Sequence, residues 1–477
     1  MKKIQNKFVS ENQNKNNLNQ TLLENVYQSK FKNKFETIKY LLENGEDINF
    51  KNDLNETFLH NVCQFQKANV FEAIKYLIGK GINVNLKTTF GDTALHFVCQ
   101  YQKKNAFEIT KFLVENGADA NVKTNFDNTF LHLICKYQNE NIIQMLHFFI
   151  QKGVDINAKN IDIQTALHFV CQFQKENAFE IVKFLVGKGA DVNAINSLSD
   201  TALHLVCKFQ KENVFEMIKF LVESEADVNI KNIDSQTPLH YSFQFQKEIA
   251  FEIVSYLVEK GADVNATNKH NELALHYICQ LQKENVFEMI KFLVEKGADI
   301  NAKTKRQETP LHLVCKFQKE NVFEIVSYLV EKGADVNATN KHNELALHYI
   351  CQYQKENVFE MIKFFIEKNI DVNAKTNPYD TFLHLISQYQ KENVFEIIKF
   401  LFEKGADINV KNVFDQTVLE NIFQYQYQYQ YQSREKVFEI IKFLIEKGSD
   451  VNFKNKENQT PLYIAIQRND SKLIKNY

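Results

Sequence analysis

The composition is unusual mainly in what it lacks. The 477 residues include no tryptophan, four prolines and 13 glycines, and no Gly-rich phosphate-binding loop occurs. Lysine and arginine total 57 against 59 aspartates and glutamates, which argues against a general nucleic-acid or membrane-surface role based on bulk charge. Lys, Glu, Gln or Asn interrupts every apolar run before the roughly 20 residues of a membrane span, so we expect a soluble chain.

Beyond an N-terminal lead-in, the chain is periodic. Residues 1–20 contain no apolar stretch long enough for a secretory signal, and we expect them to be disordered. From there the element TxLH recurs every 36 residues, and once after 43, where the tract YQYQYQY at 425–431 adds seven. Repeats of this size cannot bury a core alone and must stack on their neighbours. The anchors of the element are Thr21, Thr57, Thr93, Thr129, Thr165, Thr201, Thr237, Leu273, Thr309, Leu345, Thr381, Thr417 and Thr460.

The repeat that starts at Thr165 shows the local pattern, which predicts two helices and a turn. Thr165 is a candidate N-cap for a first helix with apolar residues at helical spacing. We expect Asn177 to cap the second helix, with Glu180 completing an Asn variant of the capping box. Gly189 is expected to end that helix in the left-handed conformation, and ten of the 13 glycines occupy this position.

The repeat resembles the ankyrin repeat, whose TPLH opening, paired antiparallel helices and GADVNA exit all occur here in order. The resemblance covers residues 21–477, in about thirteen repeats. It implies an all-α repeat solenoid of stacked helix-turn-helix units with β-hairpin loops, capped by the repeat that begins at Thr460. Family repeats have about 33 residues, and the extra residues fall between the helices. Because three residues are nearly one helical turn, we expect the first helix to be extended by a turn.

Ten of the 13 histidines lie three residues after an anchor. A ladder of metal ions is one interpretation, but successive copies would lie about 10 Å apart with no second ligand at local spacing. The resemblance implies instead that each imidazole bonds its anchor Thr and neighbouring loop backbone. At His276 and His348 the anchor is leucine, so we expect that partner to be lost. The ten are His60, His96, His132, His168, His204, His240, His276, His312, His348 and His384.

All eight cysteines lie six residues after an anchor, where ankyrin repeats have a small alanine. We interpret them as buried side chains about 10 Å apart, beyond disulfide range, and free thiols indicate a reducing compartment. A catalytic Cys–His pair is the alternative, but no acid or oxyanion hole singles out one repeat. We therefore predict no enzyme activity, no metal and no cofactor. The cysteines are Cys63, Cys99, Cys135, Cys171, Cys207, Cys279, Cys315 and Cys351.

An aromatic residue lies eight positions after most anchors. We interpret these rings as a continuation of the inward-facing stripe, which packs the added turn against its neighbour. A stacking platform for bases or for a partner's aromatic groups is the alternative, although no basic groove accompanies it. The residues are Phe65, Tyr101, Tyr137, Phe173, Phe209, Phe245, Phe317, Tyr353, Tyr389 and Tyr425.

The repeats differ most at the hairpin tips, four to two residues before each anchor. In ankyrin proteins these tips and the first helices form the concave recognition surface. We hypothesise a partner that offers apolar anchors to repeats two to seven and acidic groups to repeats eight to ten. Neutral drift at a solvent-facing turn is the alternative. The predicted contact residues are Leu54, Phe90, Phe126, Ile161, Ile163, Leu198, Ile233, Lys269, His270, Lys305, Arg306, Lys341, His342, Tyr379 and Phe414.

Two features qualify the variation at the tips. Residues 251–280 and 323–352 are identical, so the two basic tips that follow from this copy count as one observation. Family tips also carry glycine at the last of the three positions, which occurs here only at Gly91. Asn, Asp or Ser usually replaces it, whereas Ile163, Gln307 and Tyr379 depart from the turn chemistry.

These patterns predict a non-enzymatic protein–protein interaction scaffold. We expect an elongated monomer of about 120 Å, from a dozen repeats stacked at about 10 Å each. Its partner is expected to be a protein, with no nucleic acid and no membrane span, and its location cytoplasmic. The alternative is the same scaffold exported by an intracellular microbe into a host cell, where it binds a host protein. Heavy use of Asn, Lys, Phe, Ile and Tyr indicates A+T-rich coding, which suits such organisms.

Overall fold

A computed structural model describes residues 26, 34–65, 69–281, 283–377, 379–427 and 434–452, with residues 454, 460, 463 and 466 described singly. The expected lead-in at 1–20 and most of the cap repeat after Thr460 therefore lie outside the described residues. The described part is an all-α structure of stacked repeats, as expected, and it divides after Ile233 into two compact units. Each fully described repeat contributes a first and a second helix.

In the first unit, the described helices are α1 Lys34–Glu43, α2 Phe58–Phe65, α3 Val70–Gly79, α4 Ala94–Tyr101, α5 Ala106–Glu115, α6 Phe130–Tyr137, α7 Ile142–Gln151, α8 Ala166–Phe173, α9 Ala178–Gly187, α10 Ala202–Phe209 and α11 Val214–Glu223. In the second unit, they are α12 Pro238–Phe245, α13 Ala250–Glu259, α14 Ala274–Leu281, α15 Val286–Glu295, α16 Pro310–Phe317, α17 Val322–Glu331, α18 Ala346–Tyr353, α19 Val358–Glu367, α20 Phe382–Tyr389, α21 Val394–Glu403, α22 Val418–Asn421, a π-helical turn Ile422–Tyr427 and α23 Arg434–Glu446.

The core lies where helices of consecutive repeats meet. In the repeat from Thr165, the side chains of Val170 and Cys171 on α8 and of Val182 and Leu185 on α9 are fully buried. First helices pack on one another along each unit, as α6 does on α8. A helix of eight residues is not stable alone in water. Packing across repeats therefore stabilises it, at about 1.5–3 kcal/mol for each large buried aliphatic side chain.

The residue before each second helix does not act as the expected side-chain cap. Asn177 has φ 57° and ψ 12°, and its side chain makes no capping hydrogen bond. The predicted capping box was wrong, because a capping side chain reaches the first-turn amides from an extended backbone, whereas Asn177 is left-handed. Asn suits the position because it tolerates positive φ better than other non-glycine residues. At Ile249, where Asn is absent, φ is −108°.

In the repeat from Thr165, the first helix is not extended by a turn. It ends at Phe173, and Gln174 has an extended backbone with φ −77° and ψ 132°. The buried side chain of Gln174 reaches into the preceding repeat, where it donates to the carbonyls of Cys135 (2.7 Å) and Gln138 (3.0 Å). The extra residues therefore form an ordered loop, and the predicted additional turn was wrong because this loop is held by a contact with another repeat.

The same contact recurs within both units, and we call it the glutamine ladder. Each member is buried and donates its side-chain amide to the cysteine carbonyl 39 residues earlier. A buried carbonyl left without a donor costs about 1–3 kcal/mol, so the ladder is a substantial connection between repeats. Its described members are Gln102, Gln138, Gln174, Gln210, Gln318, Gln354 and Gln390.

The second helices end as the glycine pattern predicts. Gly189 has φ 91°, and nine further glycines at this position also have positive φ. Asn369 and Glu225 replace the glycine in two repeats and keep the left-handed backbone, with φ 60° and 69°. The carboxylate side chain at Glu225 carries the larger conformational cost, because Asn visits this region more readily.

The expected hairpin loops form tight turns, and none of the described residues belongs to a β-strand. At most of the described tips one backbone amide donates to the carbonyl of the preceding tip, as Asn125 does to Phe90 and Ile161 to Phe126, both at 3.0 Å. One hydrogen bond per junction does not make the continuous ladder of a β-sheet. These tip-to-tip bonds nevertheless fix the position of each tip relative to its neighbour within a unit.

Replacing Ile163 with glycine is expected to stabilise the array by about 1 kcal/mol, since a branched side chain is strained at positive φ. Ile163 has φ 59° and is exposed, so little packing is lost. Thermal unfolding followed by circular dichroism measures the change. The reverse substitution at the same position of another tip, Gly91→Ala, should destabilise, because its Cβ would clash with Asn125. A lower Tm for Ile163→Gly would contradict the expectation.

Candidate functional site

The repeated histidines connect one repeat to the next. In His132, Nδ1 accepts the Thr129 backbone N–H at 3.1 Å and lies 2.8 Å from the Thr129 hydroxyl, which confirms the expected anchor contact. Nε2 therefore carries the proton and donates to the carbonyl of Gln164 in the following repeat, at 2.8 Å. His276 and His348 lack the hydroxyl contact but still accept the backbone N–H of their leucine anchors.

Burial keeps these histidines neutral, and most of them bond protein groups through both ring nitrogens, whereas His96 Nε2 is buried without a hydrogen-bond partner. Burial lowers the pKa of His60, His132 and His348 to about 4. Each of the three bonds protein groups through both ring nitrogens, so neither nitrogen is open to a metal ion. Within the residues that the structure describes, no group of three His, Cys, Asp or Glu side chains could hold a metal.

The cysteines occupy the helix-packing core, as expected. All eight are free thiols and all are buried. Burial raises the pKa of the Cys99 and Cys171 thiols to about 12, and it raises the pKa of Cys63 and Cys135 further. The thiolate is the nucleophilic form, so these side chains are unreactive in the folded chain.

Thiol labelling is expected to report unfolding. An aromatic disulfide reagent added to the native chain at pH 8 should modify almost none of the cysteines, because the thiols are buried and protonated. In urea, all eight should react as their repeats unfold. Absorbance of the released thiolate measures the count, and rapid stoichiometric reaction without denaturant would show that the thiols are accessible.

Most of the aromatic residues eight positions after the anchors lie at the surface, among those whose side chains the structure describes. Tyr101, Phe173 and Tyr389 are 37–46% exposed. The prediction that these rings face inward was wrong, because the first helix ends at this residue and no further turn covers the ring. Where the residue a turn earlier is also aromatic, the two rings pack together, as Phe173 does on Phe169 at 5.3 Å between centroids. These residues therefore add apolar surface beside the tips.

All fifteen predicted contact residues are solvent-exposed. The apolar ones are 42–62% exposed, which is high for side chains of this size. They are Leu54, Phe90, Phe126, Ile161, Ile163, Leu198 and Ile233 in the first unit, and Tyr379 and Phe414 in the second. The basic ones are Lys269, His270, Lys305, Arg306, Lys341 and His342, all in the second unit.

A groove of about 610 Å³ in the first unit brings four of the apolar tips together, and we call it the tip groove. Leu54, Ile163 and Ile233 do not line it. One side, the finger wall, consists of Phe90, Phe126, Ile161 and Leu198. The other side, the ring wall, consists of Tyr137, Phe173 and Phe209, from the ends of α6, α8 and α10.

The floor of the tip groove is polar, which the sequence interpretation missed. The side chain of Gln100 donates to Asp92 at 3.2 Å, and that of Gln164 donates to Gln172 at 3.0 Å. Burial raises the pKa of Asp92 to about 6. The paired residues lie one position before and seven positions after an anchor. Polar residues that recur at these two offsets were the signal that could have indicated the floor.

The basic tips of the second unit lie exposed beside carboxylates that already have partners. Lys269 Nζ is 2.7 Å from an Asp234 carboxylate oxygen. The buried carboxylate of Glu308 pairs with Lys316 at 3.1 Å and accepts the Tyr349 hydroxyl at 3.0 Å. Each of these two carboxylates already pairs with a single lysine, so together they neutralise only part of the positive charge on the basic tips.

Stacked helix pairs, left-handed glycines at the second-helix ends and tips joined by backbone bonds define a helical repeat protein of the kind that serves as an interaction scaffold. A family model described as ankyrin repeats (3 copies) matches residues 26–124, 101–196, 167–268, 250–340, 275–376 and 319–412, and one described as ankyrin repeats (many copies) matches 430–475. The chain therefore belongs to the ankyrin repeat family, whose members are typically non-enzymatic protein-interaction scaffolds. No curated protein matches it in sequence. Among the described helices, none has the length and apolarity to cross a membrane.

Proposed function

We propose that this chain binds a protein partner along the surface formed by its hairpin tips and first helices. The observation that carries the proposal is the row of exposed apolar side chains at Phe90, Phe126, Ile161 and Leu198. Soluble proteins rarely expose contiguous apolar surface without a partner. The tip-to-tip hydrogen bonds hold these side chains at regular intervals, so little ordering is required on binding.

The basic tips are proposed to contribute to binding by electrostatic attraction. Lys305, Arg306 and Lys341 lie exposed on consecutive tips of the second unit. We infer that they attract acidic groups of the partner, which raises the association rate more than it stabilises the complex. Replacing Lys305 and Lys341 with glutamate is expected to slow association and to weaken its dependence on salt concentration.

The main experiment compares two triple variants in affinity purification with quantitative mass spectrometry. Replacing Phe90, Phe126 and Ile161 with serine removes three apolar tips and is expected to abolish capture of the partner. The control replaces three exposed apolar residues outside the tips with serine. They are Tyr40, Ile143 and Ile195.

Both triple variants should keep the helical melting transition, because the replaced side chains are exposed. A partner must be retained by the wild-type and control chains and lost by the tip variant, then confirmed by direct binding of the purified pair. Unchanged affinity of the tip variant for that partner would refute the proposal.

The free buried thiols support a reducing compartment for this interaction, with the cytoplasm as the proposed location. Export into a host cell is the alternative location. A translocation reporter fused to the chain distinguishes the two, since only an exported chain delivers the reporter into the host.

A further inference from the structure

We propose that the tip groove binds an extended, nearly uncharged peptide segment with a bulky apolar residue at every third position. The inference rests on the proposed function and specifies what the partner places in this groove. Phe126 on the finger wall and Phe173 on the ring wall are 55% and 37% exposed, so apolar surface is available on both sides.

The polar floor favours a peptide backbone over the face of a helix. An extended chain presents one N–H and one C=O per residue that are not bonded within the segment. Asn128, Gln164 and Gln172 line the groove; Gln164 donates to Gln172, and the Asn128 oxygen accepts from Asn160. The remaining donor and acceptor capacity of these three side-chain amides is available to such a backbone. The apolar face of a helix offers neither and would desolvate these groups, at about 1–3 kcal/mol for each one left unpaired.

The tips cannot instead bind a segment by adding a strand to their own backbone. The amides of residues 125–128 already donate to the Phe90 carbonyl and to the carbonyl and hydroxyl of Thr124. The amide of Ile161 likewise donates to Phe126. Strand addition needs unpaired main-chain groups. The segment is therefore held by side chains of the walls and floor.

The repeat spacing sets the spacing of the apolar residues. Stacked helices lie about 8–10 Å apart, and three residues of polyproline II chain advance about 9.3 Å. One tip and one ring are added per repeat along the groove, so every third residue of an extended segment meets an equivalent apolar site. A segment that crosses the four tips of the finger wall thus places an apolar residue at each.

Charge balance in the groove determines the charge of the segment. The lining carboxylates are Asp92, Asp162 and Asp200, and the lining ammonium groups are Lys136 and Lys208. Lys136 Nζ lies 5.0 Å from the centroid of a ring-wall phenylalanine, so part of its charge faces the wall. With the two signs nearly balanced, neither an acidic nor a basic segment has an electrostatic advantage.

The test uses the full chain and two fluorescein-labelled synthetic peptides with the same composition. One has leucine at its first, fourth, seventh and tenth positions, separated by threonine, serine and asparagine. The other places the four leucines at helical spacing, at its first, fourth, fifth and eighth positions. Fluorescence anisotropy is expected to give a Kd about tenfold lower for the first peptide. Equal affinity, or tighter binding of the helical isomer, would overturn the proposal.

Wall variants locate the binding. Phe126→Ser and Phe173→Ser are each expected to weaken the first peptide by about tenfold, as loss of a central aromatic contact does. The controls are Tyr40→Ser and Ile143→Ser, which change apolar residues outside the tips and the ring wall at 41% and 39% exposure. Both should leave the Kd within about twofold. Equal effects of the wall variants and the controls would show that binding is not at the tip groove.

A floor variant separates an extended segment from a helix. Gln164→Leu removes a backbone partner and adds apolar surface, so the first peptide should bind about fivefold more weakly. Tighter binding would show that an apolar floor is preferred and would overturn the proposal. If the serine triple variant loses a natural partner while the two peptides bind alike, the proposed function stands and this inference fails.

Discussion

Acidification from pH 7 to pH 5 is expected to destabilise the array by several kcal/mol. The pKa of His60, His132 and His348 is about 4 in the folded chain, against 6.5 in the unfolded chain. As pH falls below 6.5 the unfolded chain takes up protons that the folded chain does not, so stability is complete above that pH and declines toward pH 4. Each of these histidines accounts for about 2 kcal/mol between pH 7 and pH 5.

The total loss of stability is large because several histidines are buried in the same way. Burial also lowers the pKa of His168, His276, His312 and His384. The raised pKa values of Asp92 and Glu420 act in the opposite direction, since these carboxyls gain a proton in the folded form before they do in the unfolded form. Two carboxyls offset only part of the effect of many imidazoles. Urea unfolding at half-unit intervals between pH 7.5 and pH 4.5 measures the net slope.

A matched pair of variants tests whether the change of stability with pH comes from the buried histidines. His132→Gln should lower stability at pH 7 and also reduce the loss on acidification, because one titrating group is removed. His147→Gln replaces an exposed histidine on α7 and should leave the slope unchanged. If both variants keep the wild-type slope, the acid sensitivity comes from other groups.

Replacing Gln174 with alanine is expected to destabilise the chain by about 3 kcal/mol, since two carbonyls lose a buried donor. Its side chain amide donates to Cys135 and Gln138 of the preceding repeat and is 6% exposed. Urea unfolding measures the loss. The control is Gln172→Ala, two residues earlier and partly exposed, which should change stability by less than about 0.5 kcal/mol. A loss below about 0.5 kcal/mol for Gln174→Ala as well would mean that water replaces the lost donor.

The sequence predicted what depends on local conformation and on the repeat period. The helix pairs and the left-handed glycines follow from residue spacing, and the burial of the cysteines follows from spacing together with the resemblance to ankyrin repeats. The role of Asn177 could not be decided in this way, because Asn is favoured both as a capping residue and at positive φ. The conformation of Gln174 was also inaccessible, since helical spacing continues through it and only its contact with the preceding repeat ends the helix there.

The candidate site was predicted only in part. Variation among the tips identified Phe90 and Phe126, which the tip groove does bring together. The ring wall was assigned to the core, because a period of four residues gives the direction of a side chain but not whether another turn covers it. Asp92 and Gln100 of the floor were not predicted. Asp92 precedes α4 and Gln100 lies within it, so their contact depends on how the chain folds between them.

The glutamine ladder has a consequence for how such a chain lengthens. Gln138 binds the repeat before it, and the carbonyl of the same residue accepts Gln174 of the repeat after it, so each repeat carries both halves of one standard connection. A duplicated repeat is thus compatible with its new neighbours at once, and the identity of residues 251–280 and 323–352 records such an event. Gene duplication can therefore lengthen the array by whole repeats, and each new tip can diverge in sequence while the connection between repeats is kept.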